Sequence, residues 1–331
     1  VKRIAVIGAG AWGTAVAVHI ARLGFETTIW CFDEETARQI AEGENKNYLA
    51  GIAIPPALRA TIELADCVEG ASAIFFAVPV QHLAGVISGI RPGSIHSEAI
   101  LVNLSKGIER NTGRLPSQII EDRFSSNRGV LTLSGPSLAE EVARERPTVM
   151  VCAGALEPAE AVQRLISADH LRIYRSSDRI GVDISSALKN VLALGSGICD
   201  GLGLGENGRA ALIVRGLAEM RRLSVALGAE EQTIFGIAGL GDLVLTCTSG
   251  RSRNHDFGRL LAMGRSTEEI LSEKRWVAEG VFTAPAALEL ARKRSIELPI
   301  TERVTAVLEG RTTPREAAKA LMTRPLREEF Y

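Results

Sequence analysis

Arg3-Ile4-Ala5-Val6-Ile7-Gly8-Ala9-Gly10-Ala11-Trp12-Gly13 is the stretch whose reading decides the fold. A short, mostly apolar run of strand length enters three glycines at G-x-G-x-x-G spacing, and residues 12–23 then read as a helix stopped by Gly24. In that context the first glycine permits a tight turn and the second lets a pyrophosphate approach the backbone. The third allows close helix–sheet packing, while the helix N-terminus offers N–H groups to phosphate oxygens. A merely structural glycine turn is the plainer alternative. The strand–turn–helix context favours dinucleotide binding.

Working outward, residues 25–31 are β-branched and aromatic and read as a second strand, and residues 34–42 read as a helix. Further strands are predicted at 73–78, 99–104, 130–134 and 148–152, with helical segments between most of them. This alternation predicts an α/β fold: an N-terminal Rossmann-like, doubly wound and mostly parallel sheet. From about residue 179 strand signals nearly vanish. Residues 184–195, 210–227, 259–263, 267–273, 284–294 and 314–321 carry helical patterns, so an all-α C-terminal domain should follow. The expected division is 1–178 for the dinucleotide-binding domain and 179–331 for a helical substrate-binding domain.

Composition narrows the function. The chain has 331 residues, 46% hydrophobic and 23% charged, enough to bury two cores. Lys plus Arg is 38 and Asp plus Glu 39, for a net charge of −1. Such balance supplies no global field for nucleic acid or an anionic membrane, so an anionic ligand must be held by a local cluster. The five cysteines include no C-x-x-C pair and the five histidines no H-x-x-x-H pair, so no metal site is expected, and a reducing cytoplasm suits the chain. The uncharged stretch 70–90 contains Pro79, Gln81 and His82 at its middle, and reads as a strand turning into a helix rather than a membrane span.

Several residues stand out chemically. Phe32 and Asp33 end the second strand, where an acidic side chain would bond a ribose 2′-hydroxyl and repel a 2′-phosphate. Asp33 could equally cap the helix beginning at Glu34, and Phe32 could stack on adenine or simply pack. Ser105-Lys106-Gly107 and Ser134-Gly135-Pro136-Ser137 follow strands whose carboxyl ends should face the ligand crevice. Lys106 there suits an anion or a reacting oxygen, or else is a solvated surface lysine. Ser137-Leu138-Ala139-Glu140 has the form of a capping box. Lys189 lies in a mostly apolar helical stretch, where desolvation would lower its pKa and make it a competent acid–base group; a snorkelling lysine is the alternative. Asn190 beside it could orient the lysine or a substrate. Gly239-Leu240-Gly241-Asp242 precedes Ser252-Arg253-Asn254-His255, a basic cluster suited to phosphate oxygens or a solvated loop.

Taken in order, residues 8–13, Ser105-Lys106-Gly107, Gly135-Pro136-Ser137, Leu188-Lys189-Asn190-Val191, Gly239-Leu240-Gly241-Asp242-Leu243 and Ser252-Arg253-Asn254 closely resemble the bacterial type of NAD(P)-dependent glycerol-3-phosphate dehydrogenase. The resemblance runs nearly the whole chain, through Val277-Ala278-Glu279-Gly280 and Leu298-Pro299-Ile300-Thr301. It implies that Gly8, Gly10, Ala11, Trp12, Gly13, Lys106, Ala139, Arg253, Val277 and Glu279 hold the cofactor. It further implies that Lys106, Gly135, Ser137, Lys189, Asp242, Ser252, Arg253 and Asn254 hold the substrate, with Lys189 as proton acceptor. Many bacterial members place a basic residue at the position of Phe32, whereas eukaryotic members resemble the Trp-x-Phe-acidic pattern found here. The cofactor is therefore expected to be NAD or NADP, with a lean to NAD.

The implied reaction interconverts dihydroxyacetone phosphate and sn-glycerol 3-phosphate, supplying glycerophospholipid synthesis. Lys189 would protonate the developing C2 oxygen, Lys106 would add charge or positioning, and Arg253 and Asn254 would grip the phosphate. A homodimer is expected, with a small-molecule substrate, no nucleic acid and no membrane span. Two rivals are a related hydroxyacid or ketopantoate-type dehydrogenase and a non-catalytic NAD-sensing module.

Overall fold

The computed structural model describes residues 3–91, 93–125, 127, 129–273, 277–326 and 328–329. The deciding stretch folds as β1 (Arg3–Ile7) leading into α1 (Ala11–Arg22), followed by β2 (Glu26–Trp30) and α2 (Glu34–Ala41). A hairpin of β3 (Glu44–Asn45) and β4 (Leu49–Ala53) precedes β5 (Leu58–Thr61), α3 (Leu64–Val68), β6 (Ala71–Phe76) and α4 (Val80–Ser88). Then come β7 (Ile100–Asn103), α5 (Pro116–Arg123), β8 (Val130–Ser134), α6 (Ala139–Ala143), β9 (Thr148–Ala153), α7 (Leu156–Ile166) and β10 (Leu171–Ser176).

Eight of these strands form one sheet in the order β10-β9-β8-β7-β6-β1-β2-β5. All pairings are parallel except β8 with β9. Apolar clusters fill both faces of the sheet. The chain winds one way from β1 through β2 to β5, then the other way from β6 to β8, so the order reverses between β1 and β6. In a doubly wound sheet the ligand crevice opens at that reversal, outside the carboxyl ends of the strands.

Two strands of this main sheet escape the sequence reading, β5 and β10, and both are edges; the separate β3–β4 hairpin escapes it too. In β10, Leu171 and Ile173 are buried while Arg172 and Tyr174 are exposed. An edge strand half-covered in this way lacks the continuous apolar run that marks its central neighbours.

After Ser176 the described residues contain no further strand. α8 (Arg179–Gly201) and α9 (Gly205–Ala226) are followed by α10 (Glu231–Ile234), a π-helical turn at Ile237–Gly241, α11 (Asp242–Thr248) and α12 (Arg253–Ala262). α13 (Thr267–Glu273), α14 (Glu279–Arg292), α15 (Pro299–Leu308) and α16 (Pro314–Met322) complete the helical half. α8 is the hub, buried from Gly181 to Cys199 and packed by α9, α11, α12, α14 and α15. Its contact with α12 is backbone to backbone: a Cβ at Gly197 would lie 1.9 Å from the His255 carbonyl oxygen. α8 also begins earlier than the apolar pattern predicts, because the Asp178 carboxylate accepts the Gly181 N–H at 2.8 Å and caps it. Among the described residues no single helix is long and apolar enough to cross a membrane.

Candidate active site

The glycine turn separates into three physical roles. Gly8 has φ +110°, and a Cβ there would lie 2.7 Å from the Ala77 carbonyl oxygen at the end of β6. At Gly13 a Cβ would lie 1.9 Å from the Gly8 oxygen. The fold therefore demands both. A Cβ on Gly10 would meet nothing within 4 Å, so that glycine faces open space at the start of α1. No side chain caps α1, and its first N–H groups are left for an outside acceptor. Asn45, buried in the hairpin, donates to the Ala9 carbonyl at 3.0 Å and to Thr14 Oγ1 at 2.8 Å, holding the turn in place.

Across the crevice lies a charged centre made of side chains. Lys106 follows β7, and its ammonium donates to Asp242 Oδ2 at 2.8 Å and reaches the Gly135 carbonyl at 3.5 Å. Lys189, midway along α8, donates to Asp242 Oδ1 at 2.6 Å and to Thr246 Oγ1 at 2.8 Å. Asp242 is the first residue of α11, placed there by the π-helical turn, and is 1% exposed. Burial alone would raise its pKa, but the Lys106 and Lys189 ammonium groups outweigh that and hold it below the usual carboxylate range. For Lys189 burial wins over the pull of Asp242, and its pKa falls to about 8. Two cations on one carboxylate leave a net positive site.

Thr246 is a site residue that sequence reading missed. Its one available signal is helical spacing from Asp242, which puts both side chains on one face of α11.

The basic cluster divides in the fold. Arg251 lies 3.6 Å from both Glu140 and Glu141 on α6, and His255 Nε2 lies 2.8 Å from Asp200. Ser252 caps α12 by accepting the His255 N–H at 3.2 Å. Arg253, the first residue of α12, is exposed and has no carboxylate partner among the described residues; the Tyr48 phenol of the hairpin lies within its electrostatic reach. Asn254 turns inward instead. Its amide donates to Asn190 Oδ1 at 3.0 Å and its oxygen accepts the Gly280 N–H at 2.9 Å, tying α8, α12 and α14 together.

That tie places Glu279 and Val277 at the entrance of α14. Glu279 is pushed up to about 8 by burial despite accepting the Val80 N–H. Its Oε2, the Thr283 hydroxyl and the indole Nε1 of Trp12 are buried without partners. A Cβ at Gly107 would lie 3.2 Å from Glu279 Oε2 and 3.1 Å from Thr283 Oγ1, so these polar atoms stand against the Lys106 turn. Ala139 opens α6 and packs against the core of the sheet domain.

Two expectations change. The capping box at Ser137 does not form: Leu138 is the N-cap without a side-chain bond, and Ser137 Oγ turns back to the Gly135 carbonyl at 3.0 Å. α6 starts one residue later than the pattern requires, and Glu140 faces Arg144 and Arg251 instead. Asp33, left open between two roles, caps α2: its oxygens accept the Thr36 N–H at 2.8 Å and the Thr36 hydroxyl at 3.0 Å. Phe32 is 85% exposed and touches Trp30 edge-on. Phe32 and Asp33 thus stand at the end of β2, bonded locally rather than to the lysine centre.

Residues 3–159 match the family described as NAD-dependent glycerol-3-phosphate dehydrogenase N-terminus, and residues 178–319 its C-terminus. The glycerol-3-phosphate dehydrogenase [NAD(P)+] of Geobacter sulfurreducens is 45% identical over 334 residues, covering 100% of this chain and 99% of the relative. The crystal structure of glycerol-3-phosphate dehydrogenase from Coxiella burnetii superposes with a TM-score of 0.92 at 36% identity, covering 98% and 99% of the two chains. A ketopantoate reductase from Ralstonia eutropha, 15% identical with a TM-score of 0.59 over 97% of this chain and 100% of its own, shares the fold alone. The order of motifs, the paired lysines and this end-to-end likeness agree, and the chain belongs to the NAD-dependent glycerol-3-phosphate dehydrogenase family.

Proposed function

We propose that the chain is an oxidoreductase that interconverts dihydroxyacetone phosphate and sn-glycerol 3-phosphate with NAD(P)H. The observation that carries the reading is the pair of lysine ammonium groups on one buried Asp242 carboxylate. The residues present fit a dinucleotide. Gly10 leaves room for a pyrophosphate, the first turn of α1 offers free donors, and Glu279 Oε2 and Trp12 Nε1 are buried polar atoms lacking partners. Bound there, the cofactor supplies the hydride.

The remaining chemistry falls to side chains. An ammonium has three N–H donors, and Lys189 commits two of them to Asp242 and Thr246. The third is free for a substrate oxygen, which Lys189 would stabilise and protonate in reduction and deprotonate in oxidation. A pKa of about 8 suits both directions near neutrality. Asp242 keeps the lysine cationic and aimed, and Lys106 adds a second positive charge and positions the substrate beside Gly135 and Ser137. Arg253, the Ser252 hydroxyl and the N-terminus of α12 form the phosphate grip, with Asn254 contributing its one remaining amide N–H. Holding the phosphate supplies binding energy remote from the reacting carbon.

The same reading assigns residues 1–178 to the cofactor and 179–331 to the substrate. It also assigns a cytoplasmic location and a supply of glycerol 3-phosphate for phospholipid synthesis. Exposed Leu204, Val214 and Val225 on and beside α9 support a homodimer. The unpaired Arg253 favours a phosphorylated substrate over that of a ketopantoate-type reductase. Initial rates with dihydroxyacetone phosphate and with dihydroxyacetone, each with NADH and NADPH, test the proposal. Turnover of the phosphate should exceed that of the free ketone by about 100-fold or more. Equal rates, or cofactor binding with no turnover of either, would overturn it.

A further inference from the structure

Asp183 lies in the second turn of α8, about 9 Å along the axis before Lys189, and is 1% exposed. It takes no part in the chemistry above, yet its Oδ1 accepts two hydrogen bonds from the sheet: Thr132 Oγ1 at 2.8 Å on β8 and Asn103 Nδ2 at 3.0 Å on β7. Asn103 is fully buried and is the residue on which the Lys106 turn is built. Its Oδ1 accepts the Ser105 N–H at 2.8 Å and its Nδ2 donates to the Ser105 carbonyl at 3.1 Å. Ser105 Oγ is in turn held by the Phe76 carbonyl at 3.2 Å, at the end of β6. The next residue is Lys106, followed by Gly107 with φ +121°.

We propose that Asp183 is a positioning residue for Lys106. It fastens the early part of α8 to the end of β7 and the middle of β8, so that the helix carrying Lys189 and the turn carrying Lys106 meet on Asp242 in register. The physical basis is a contiguous chain of buried hydrogen bonds, each with its acceptor and donor identified, from Asp183 through Asn103 to both backbone groups of Ser105. A buried carboxylate fixes a neutral amide donor more strongly than another neutral group would, and in a dry site the geometry it imposes is stiff. The inference rests on the reading of Lys106 as a substrate-site residue.

The test is a double-mutant cycle in the full chain. Asp183→Ala should lower kcat/KM for dihydroxyacetone phosphate by about tenfold or more, while NADH affinity measured by fluorescence changes less than about twofold. In a Lys106→Ala background the same substitution should cost less than about twofold, because its target is already gone. Asp183→Asn keeps the side-chain volume and serves the same cycle if the alanine variant does not fold; its expected loss is about threefold to tenfold. A second readout needs no activity: the rate of reductive methylation at Lys106, followed by mass spectrometry, should rise at least about fivefold in either variant while that at Lys189 holds. Labelling still tests Asp183 if the wild type proves inactive on dihydroxyacetone phosphate, a result that would sink the functional reading alone. Equal losses in both backgrounds, or unchanged Lys106 labelling, would show that Asp183 merely stabilises the fold.

Discussion

The glycine turn after β1 and the lysine centre against α8 are built in opposite ways, one from backbone and the other from side chains. In the turn, three glycines within six residues set the close approaches, Asn45 of the hairpin braces them, and the available donors are main-chain N–H groups of α1. In the centre, Lys106, Lys189 and Asp242 come from positions far apart in the chain and converge only because α8, α11 and the end of β7 pack together. A backbone site of this kind is encoded mostly within its own strand and helix, with few distant contacts to brace it. A side-chain site depends on packing around it, and its charges change one another's chemistry: Asp242 is held ionised by the lysines that burial would otherwise discharge. Damage to the turn should therefore abolish binding, and damage to the centre should abolish turnover.

Lys189→Ala gives the largest effect. Removing the acid should lower kcat by about 100-fold to 10,000-fold, the usual range for a positioned proton donor, with NADH affinity nearly unchanged. A variant keeping more than about a tenth of wild-type kcat, a barrier change of only about 1.4 kcal/mol, would remove Lys189 from the chemistry. The pH profile sharpens the point. Lys189 has a pKa lowered to about 8, so its ammonium form is complete below that value and lost as pH rises through it. Reduction of dihydroxyacetone phosphate should thus decline above about pH 8, and that limb should vanish from the residual activity of the variant.

Gly10→Val tests the opposite member of the pair. The side chain has room in the protein itself, so the variant should fold while binding NADH about 100-fold more weakly or worse. Gly13→Val is the contrasting case, since its Cβ would fall 1.9 Å from the Gly8 oxygen, and loss of the fold is expected there. Circular dichroism with a fluorescence titration separates the two. A folded Gly10→Val with unchanged NADH affinity would make the turn purely structural.

The same contrast explains what the sequence made legible. The turn, its flanking elements and the central strands could be read because spacing, apolar runs and glycine chemistry act within a few residues. The edge strands β5 and β10 could not, since half of each faces solvent and their charged residues hide the pattern. Lys189 was visible as a lysine out of place in an apolar helix, but its bond to Thr246 was not, because tertiary packing alone brings α8 against α11. Asn254 looked like a free polar donor in a basic loop, and the fold turns most of its amide inward to bridge Asn190 and Gly280. Ser137 matched a capping pattern that the following helix, starting one residue late, does not use.

Arg253 lies where the two kinds of site meet, a side chain at the backbone donors of α12. Arg253→Ala should raise KM for dihydroxyacetone phosphate by about tenfold to 100-fold, because a dianion loses a charge-assisted bidentate partner. With unphosphorylated dihydroxyacetone the change should stay within about twofold. Equal losses on both substrates would show that Arg253 does not read the phosphate, and the grip would then rest on the helix N-terminus and Ser252.

The smallest effect concerns cofactor choice, where the comparison is closest to balance. Both oxygens of Asp33 are engaged by Thr36, so swinging the carboxylate away would uncap α2, at a cost of about 1 kcal/mol. What remains at the end of β2 is an exposed phenyl ring and a fixed negative charge, with the Arg38 guanidinium paired to Glu35. A 2′-phosphate arriving there would be repelled by the Asp33 carboxylate, whereas a 2′-hydroxyl would lose little. NADH should therefore be used at least as well as NADPH. Phe32→Arg would place a guanidinium at an exposed position where solvent screens it, so its gain should be modest: a shift in the ratio of kcat/KM values of about threefold to tenfold towards NADPH. Competing initial rates with the two cofactors measure this directly. A wild type that already prefers NADPH by tenfold or more would mean that the phosphate finds a cation from another loop, and the identity of residue 32 would then be irrelevant to the choice.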